Sequence, residues 1–228
     1  ITRLRYLLYA GLVLGVLSCS TTSRIADDEL LYTGVKKLNI KCENESLQLD
    51  EAVAEDIATA INVKPNNSLY SPYLRHPFPV GLWVYNHWSD SAKGLKGWLY
   101  KRLVEEPVLI SAVKPKHRVE MINTVLQDNG YFDSRASYEL VQSSKNSKKA
   151  KITYNVMVNE PYVISSVGYL ETGNELDNSI DSLARADKYY KAGSRYSMDS
   201  LNAVRVKIAN VLRNRGYYYF RPEYIEYY

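Results

Sequence analysis

The sequence predicts an α+β fold of two tandem units, each ordered strand, helix, helix, strand, strand, with the first unit enlarged by an insertion and the second incomplete. An internal repeat and a change of hydrophobic period inside each copy lead to this prediction. Residues 122–131 match residues 208–217, each residue pairing with the one 86 positions later. The matching residues of the first copy are Ile122, Val125, Leu126, Gly130 and Tyr131.

Each copy of the repeat predicts a helix, a glycine stop and a strand. Apolar residues recur at helical spacing as far as Leu126 and Leu212. Gly130 and Gly216 follow, where a left-handed C-cap costs glycine least. Beyond each glycine the period becomes two and strand-forming residues dominate. We therefore expect strands over residues 131–141 and 217–228.

The remaining elements place the first unit at residues 30–160 and the second at 161–228. For the first unit, apolar patterning predicts strands at 30–40 and 150–158 and a helix at 47–61. For the second it predicts a strand at 162–171 and helices at 174–186 and 198–215. The third strand of the second unit is missing. The expectation is that the chain stops inside a repeat and belongs to a longer polypeptide.

Residues 64–114 form an insertion that does not fit the repeat. Five prolines punctuate it, and it holds an aromatic, helix-like segment with all the tryptophans of the chain, Trp83, Trp88 and Trp98. Clustered tryptophans serve either as core or as anchors for a partner protein, and core is the more common role. Both roles stay open for this segment.

The first eighteen residues predict a lipoprotein signal peptide. Arg3 and Arg5 precede an apolar stretch over residues 7–17 that is too short to span a bilayer. The stretch ends at Val16-Leu17-Ser18-Cys19, two aliphatic residues and a small residue before cysteine. We expect cleavage before Cys19, acylation of its thiol and anchoring in the outer membrane, with residues 19–29 as a tether.

Composition argues against several classes of function. The net charge of +4 gives no concentrated basic face for nucleic acid. Three distant histidines and a single further cysteine, Cys42, give no metal-ligand spacing and no disulfide framework. Gly-x-Ser-x-Gly and His-Glu-x-x-His motifs are absent from the sequence. We expect neither an enzyme nor a protein that needs a cofactor or metal.

The repeat unit resembles the POTRA (polypeptide-transport-associated) domain over residues 25–228. The first copy carries Leu126-x-x-x-Gly130-Tyr131-Phe132, an alternating strand over residues 149–156, and Pro161-Tyr162-x-Ile164. The second carries Tyr196-x-x-Asp199-x-Leu201, then Leu212 and Gly216-Tyr217-Tyr218. A lipobox before such units is similar to the TamL-type lipoproteins of the BamA/TamA outer-membrane assembly superfamily. The insertion departs from ordinary POTRA domains, and the sixteen-stranded barrel implied by the resemblance is absent from this sequence.

The resemblance implies a periplasmic role in assembling or translocating outer-membrane proteins. An exposed sheet edge would receive nascent client strands by β-augmentation, in which backbone hydrogen bonds bind without demanding a sequence. The expected edges are the opening strands, with Val35, Leu38 and Ile40 in the first unit and Tyr162 and Ile164 in the second. The alternative is a scaffold that docks a TamB-like envelope partner, with Trp83, Trp88 and Trp98 as its anchor.

Overall fold

The computed structural model of the chain describes residues 21–44, 46–68, 78–89, 93–169 and 173–227. Cys19 and the predicted signal peptide lie outside them. The described residues form a mixed α+β structure, which confirms the predicted class. The described chain divides into two compact units. The first comprises the described parts of residues 1–39, 58–119 and 137–155, and the second comprises those of residues 40–57, 120–136 and 156–228.

A three-stranded sheet follows the predicted element order. Strand β1 (Leu31–Cys42) precedes helix α1 (Glu51–Ala60), and helix α5 (Pro115–Asp128) precedes strands β2 (Arg135–Ser143) and β3 (Asn146–Val158). The strands lie in the order β1-β3-β2. Contacts that ascend together along both strands make β1 and β3 parallel, from Thr33–Ala150 to Glu43–Val158. A short turn joins β2 and β3 into an antiparallel hairpin.

β3 has the burial pattern of a central strand. Ile152, Tyr154, Val156 and Val158 are buried, whereas most of β2 is exposed. The central strand therefore buries alternate apolar side chains along its length, whereas the outer strand is exposed over most of its length.

The described residues of the insertion form three helices. They are α2 (Val80–His87), α3 (Gly94–Leu103) and α4 (Ile110–Val113). α2 packs against α3. The backbone of Gly81 approaches the end of α3 so closely that an added Cβ would lie 2.7 Å from the Leu103 carbonyl oxygen. Leu82 of α2 joins Ile25 and Leu31 in a buried apolar cluster.

The second unit also contains helices α6 (Glu175–Arg185) and α7 (Met198–Asn214), close to the predicted spans. Asn174 and Ser197 cap their N-termini by accepting hydrogen bonds from the Leu176 and Ser200 amides. α6 and α7 share an apolar cluster with the chain that follows α7, consisting of Ala184, Val204, Ile208, Ala209, Leu212 and Phe220.

The predictions of strands at residues 162–171 and 217–228 are wrong for the described residues. Residues 162–169 make one antiparallel bridge, Val163 with Arg195, and no extended strand. Through Tyr227, the chain after Gly216 forms a turn and a 3₁₀ helix (Pro222–Tyr224). Pro222 has no amide hydrogen for a strand ladder, which favours this outcome.

The two matched helix ends adopt the same geometry. The Tyr131 amide donates to the Leu126 carbonyl at 2.8 Å, and the Tyr217 amide donates to the Leu212 carbonyl at 3.1 Å. The intervening glycines, Gly130 and Gly216, have φ values of 85° and 106°. Both ends are Schellman caps, in agreement with the predicted glycine stops.

Candidate functional site

The edge of β1 is partly covered by the insertion. The Tyr32 amide donates to the Val108 carbonyl at 2.8 Å, and the Ile110 amide donates to the Leu30 carbonyl at 2.9 Å. The predicted edge residues Val35, Leu38 and Ile40 lie beyond this bridge and are half-buried. Exposed lysines interrupt the remaining edge at positions 36, 37 and 41, and charges of this kind oppose strand addition.

The opposite edge, β2, is the more open one. Tyr138 and Leu140 expose 38% and 42% of their surfaces, and most of the strand around them is solvent-accessible. At its start, the Ala136 amide donates to the Asn123 side chain at 2.9 Å. The sequence reasoning missed β2 as an edge. The available signal was that residues 150–158 are more apolar than residues 135–143, which favours β3 as the central strand.

Tyr162 and Ile164 do not form an edge, because their backbone groups are already bonded within the second unit. The Tyr162 amide donates to the Gly130 carbonyl at 2.8 Å, and the Tyr162 carbonyl accepts from Tyr196 at 3.0 Å. The Ile164 amide donates to the Ser194 carbonyl, and its carbonyl accepts from Gly193. These bonds oppose the prediction that this segment receives a client strand.

The side chain of Tyr162 is fixed as well. Its hydroxyl donates to Asp133 Oδ2 at 3.0 Å, and this bond raises the pKa of the Tyr162 phenol because ionisation would set two negative charges side by side. Phe132 packs edge-on against the Tyr162 ring, with centroids 5.3 Å apart. An open cleft of about 610 Å³ lies alongside, lined by Glu43, Asn44, Asp133, Asn159, Glu160, Pro161, Tyr162 and Val163.

The three tryptophans separate into two environments. Trp83 and Trp88 are half-buried and form an edge-on pair with centroids 6.0 Å apart, and His87 stacks on Trp83 at 4.7 Å. Trp98 lies on α3 with 62% of its surface exposed, beside Leu95 at 75%. Trp83 and Trp88 therefore serve mainly as packing groups, and Trp98 is left as a surface residue.

Asn86 of α2 holds the chain that follows the predicted lipidation site. Its Oδ1 accepts from the Ser23 hydroxyl and the Arg24 amide, both at 3.0 Å. Its Nδ2 donates to the carbonyls of Thr21 and Leu82 at 3.1 and 2.8 Å. Asn86 is 7% exposed, so these bonds are made in a buried setting. Nothing in the sequence pattern identified this residue.

Across the described ranges, no group of three or more His, Cys, Asp or Glu side chains has an arrangement that could hold a metal ion. In the part of the chain that the structure covers, no helix is both long and apolar enough to cross a bilayer. Cys42 is a free, half-buried thiol.

Neither a scan against protein-family models nor a search of curated proteins found a match to this chain.

Proposed function

We propose that this chain is the periplasmic POTRA-type region of an outer-membrane lipoprotein, and that it receives strands of unfolded outer-membrane proteins during their assembly or translocation. The fold class, the repeated helix-glycine-tyrosine cap and the lipobox before the first unit support the proposal together. Their coincidence in one chain favours this family of functions.

The single observation that carries the client-binding step is the exposed edge of β2. An edge strand presents unpaired backbone donors and acceptors to any extended segment of suitable length. Such bonds recognise backbone and not side chains, which suits a pool of clients with different sequences. The β1 edge is less suited to bind a client strand, because residues 108–110 already bond to its start and exposed lysines along the rest of it oppose strand addition.

Crosslinking along β2 tests this step. Photoreactive residues at Tyr138 and Leu140 are irradiated in the acylated full chain with an unfolded outer-membrane β-barrel protein diluted from urea. These two positions share a face of the strand, because alternate side chains point to the same side. If the client adds as a strand, its labelled residue shifts by about two positions when the probe moves from 138 to 140.

Tyr219 supplies the matched control, because it is an aromatic residue that is 92% exposed and belongs to no strand. We expect clients to label poorly from this position. Equal labelling from Tyr219, or labelled client positions that do not move with the probe, would mean that clients bind non-specifically to exposed aromatic residues. Either result refutes strand addition at β2.

A further inference from the structure

The tether after the predicted acylation site is bound to the insertion. Asn86 holds residues 21–24 through three hydrogen bonds, to Thr21, Ser23 and Arg24, and the guanidinium of Arg24 lies 5.8 Å from the centre of the Tyr85 ring. Two residues of extended chain reach about 7 Å, so an acylated Cys19 lies within that distance of Thr21. Anchoring Cys19 in a bilayer therefore brings α2 close to the lipid surface.

Helix α3 lies against α2 and turns apolar side chains away from the protein. Leu95 and Trp98, three residues apart on one face of the helix, are exposed by 75% and 62%, whereas Gly97 is buried. Leu103 is exposed by 40% at the end of the helix. Lys96 lies 5.7 Å above the Trp88 ring, which connects the exposed part of α3 to the end of α2.

The charged residues of α3 and of the residue before it are all basic, and acidic residues follow only after the helix, at Glu105 and Glu106. Residues 93–103 contain Lys93, Lys96, Lys101 and Arg102 and no acidic residue. An exposed apolar group with a basic surround is typical of helices that lie in the headgroup layer of a membrane, where lysine stems reach toward phosphates and tryptophan occupies the interface.

We propose that α3 is an interfacial membrane helix that inserts Leu95 and Trp98 into the lipid surface and binds anionic headgroups through Lys96, Lys101 and Arg102. The inference rests on the acylation of Cys19 within the proposed function and is independent of client binding at β2. One acyl attachment and one basic-apolar helix together give two membrane contacts, which hold more stably than either alone. They also fix the orientation of the insertion toward the bilayer.

Fluorescence quenching tests the proposal on the mature acylated chain reconstituted into vesicles of phosphatidylethanolamine with phosphatidylglycerol and brominated lipid. Trp98→Phe should abolish most of the lipid-dependent quenching, and Trp83→Phe, which alters a half-buried ring of α2, should retain it. Lys96→Glu combined with Lys101→Glu should weaken the quenching of Trp98, as should replacing phosphatidylglycerol with a neutral lipid.

Three results would overturn the proposal. Trp98 could remain unquenched although the protein is vesicle-bound, which would leave the acyl chain as the sole contact. Trp98 could be unquenched by lipid yet shielded from aqueous acrylamide in native envelope vesicles, which would indicate a protein partner on α3. Intact mass could show an unmodified Cys19, which would also remove the lipoprotein part of the proposed function. The first two results leave crosslinking at β2 unaffected, so a failure of the α3 proposal is distinguishable from a failure of client binding.

Discussion

A single buried phenol illustrates how the sheet constrains its residues. Tyr154 of β3 is fully buried, and its hydroxyl has no hydrogen-bond partner among the described residues. Burial raises the pKa of Tyr154 to about 12, with a smaller contribution from Tyr32. The charged form of Tyr154 is disfavoured in the fold, because its loss of hydration outweighs the attraction of the nearby Arg118.

This burial predicts a loss of stability at high pH. The unfolded phenol ionises near pH 10 while the folded one stays protonated, so the contribution of Tyr154 is complete below pH 10 and is lost as pH rises toward 12. The loss is about 2 to 3 kcal/mol. Urea unfolding at pH 7 and across this range should show a shallower alkaline decline for Tyr154→Phe than for the wild type.

At pH 7 the same substitution should change the free energy of unfolding by less than about 1 kcal/mol, because it removes an unsatisfied hydroxyl and keeps the ring. Tyr219→Phe is the control, since that side chain is 92% exposed. A large loss at pH 7 for Tyr154→Phe would show that the hydroxyl is hydrogen-bonded, and an unchanged alkaline decline would show that Tyr154 does not cause it.

At the scale of elements, the two matched Schellman caps differ in how closely other backbone atoms approach their glycines. A Cβ at Gly130 would lie 2.9 Å from the Tyr196 carbonyl oxygen and 3.3 Å from that of Tyr162. A Cβ at Gly216 would meet no described atom within 4 Å. The first cap supports a neighbouring backbone in addition to ending its helix.

Alanine at the two glycines should therefore have unequal effects. Gly216→Ala adds only the strain of a left-handed alanine, about 1 kcal/mol. Gly130→Ala adds that strain and displaces two carbonyls, so we expect it to cost about 2 to 4 kcal/mol. Denaturant unfolding of both variants measures the difference. Equal losses would mean that the Tyr162 and Tyr196 backbones yield to the added methyl without cost.

The helices and their glycine stops could be predicted from sequence because their determinants are local. Periodicity, caps and the φ preference of glycine all act within a few residues. The structure of residues 162–169 and 217–227 could not be predicted in the same way, because strand formation depends on a partner strand as much as on local propensity. The tyrosine-rich pattern of residues 217–221 predicts a strand, but Pro222 follows and the chain forms a turn and a 3₁₀ helix instead. The covering of β1 by Leu109 likewise depends on a contact 78 residues away in sequence.

At the scale of the whole molecule, one arginine joins distant parts of the chain within the second unit. Arg195 donates from Nε to the Asn129 carbonyl at 3.3 Å and lies 4.7 Å above the Tyr131 ring. Its Nη1 is 3.4 Å from Asp50 Oδ2, across a separation of 145 residues. Asp50 also caps α1 by accepting from the Ala52 amide at 3.0 Å.

These contacts make Arg195 a link between the first Schellman cap, the start of α1 and the loop before α7. Arg195→Ala should lower the free energy of unfolding by about 1 to 3 kcal/mol, because it removes a partly buried hydrogen bond and uncovers an aromatic face. It should also speed tryptic cleavage after Lys188 and Lys191, which lie in the loop that Arg195 holds.

Two matched variants separate the components of this link. Asp50→Asn keeps the helix cap and removes only the ion pair, which is partly exposed, so its cost should stay below about 1 kcal/mol. Arg195→Lys keeps the charge and loses the planar group, so it should resemble Arg195→Ala more closely than the wild type. If Arg195→Lys were as stable as the wild type, charge alone would account for the link. If Asp50→Asn were instead as damaging as Arg195→Ala, the ion pair would be the principal contact, and the stacking on Tyr131 would be incidental.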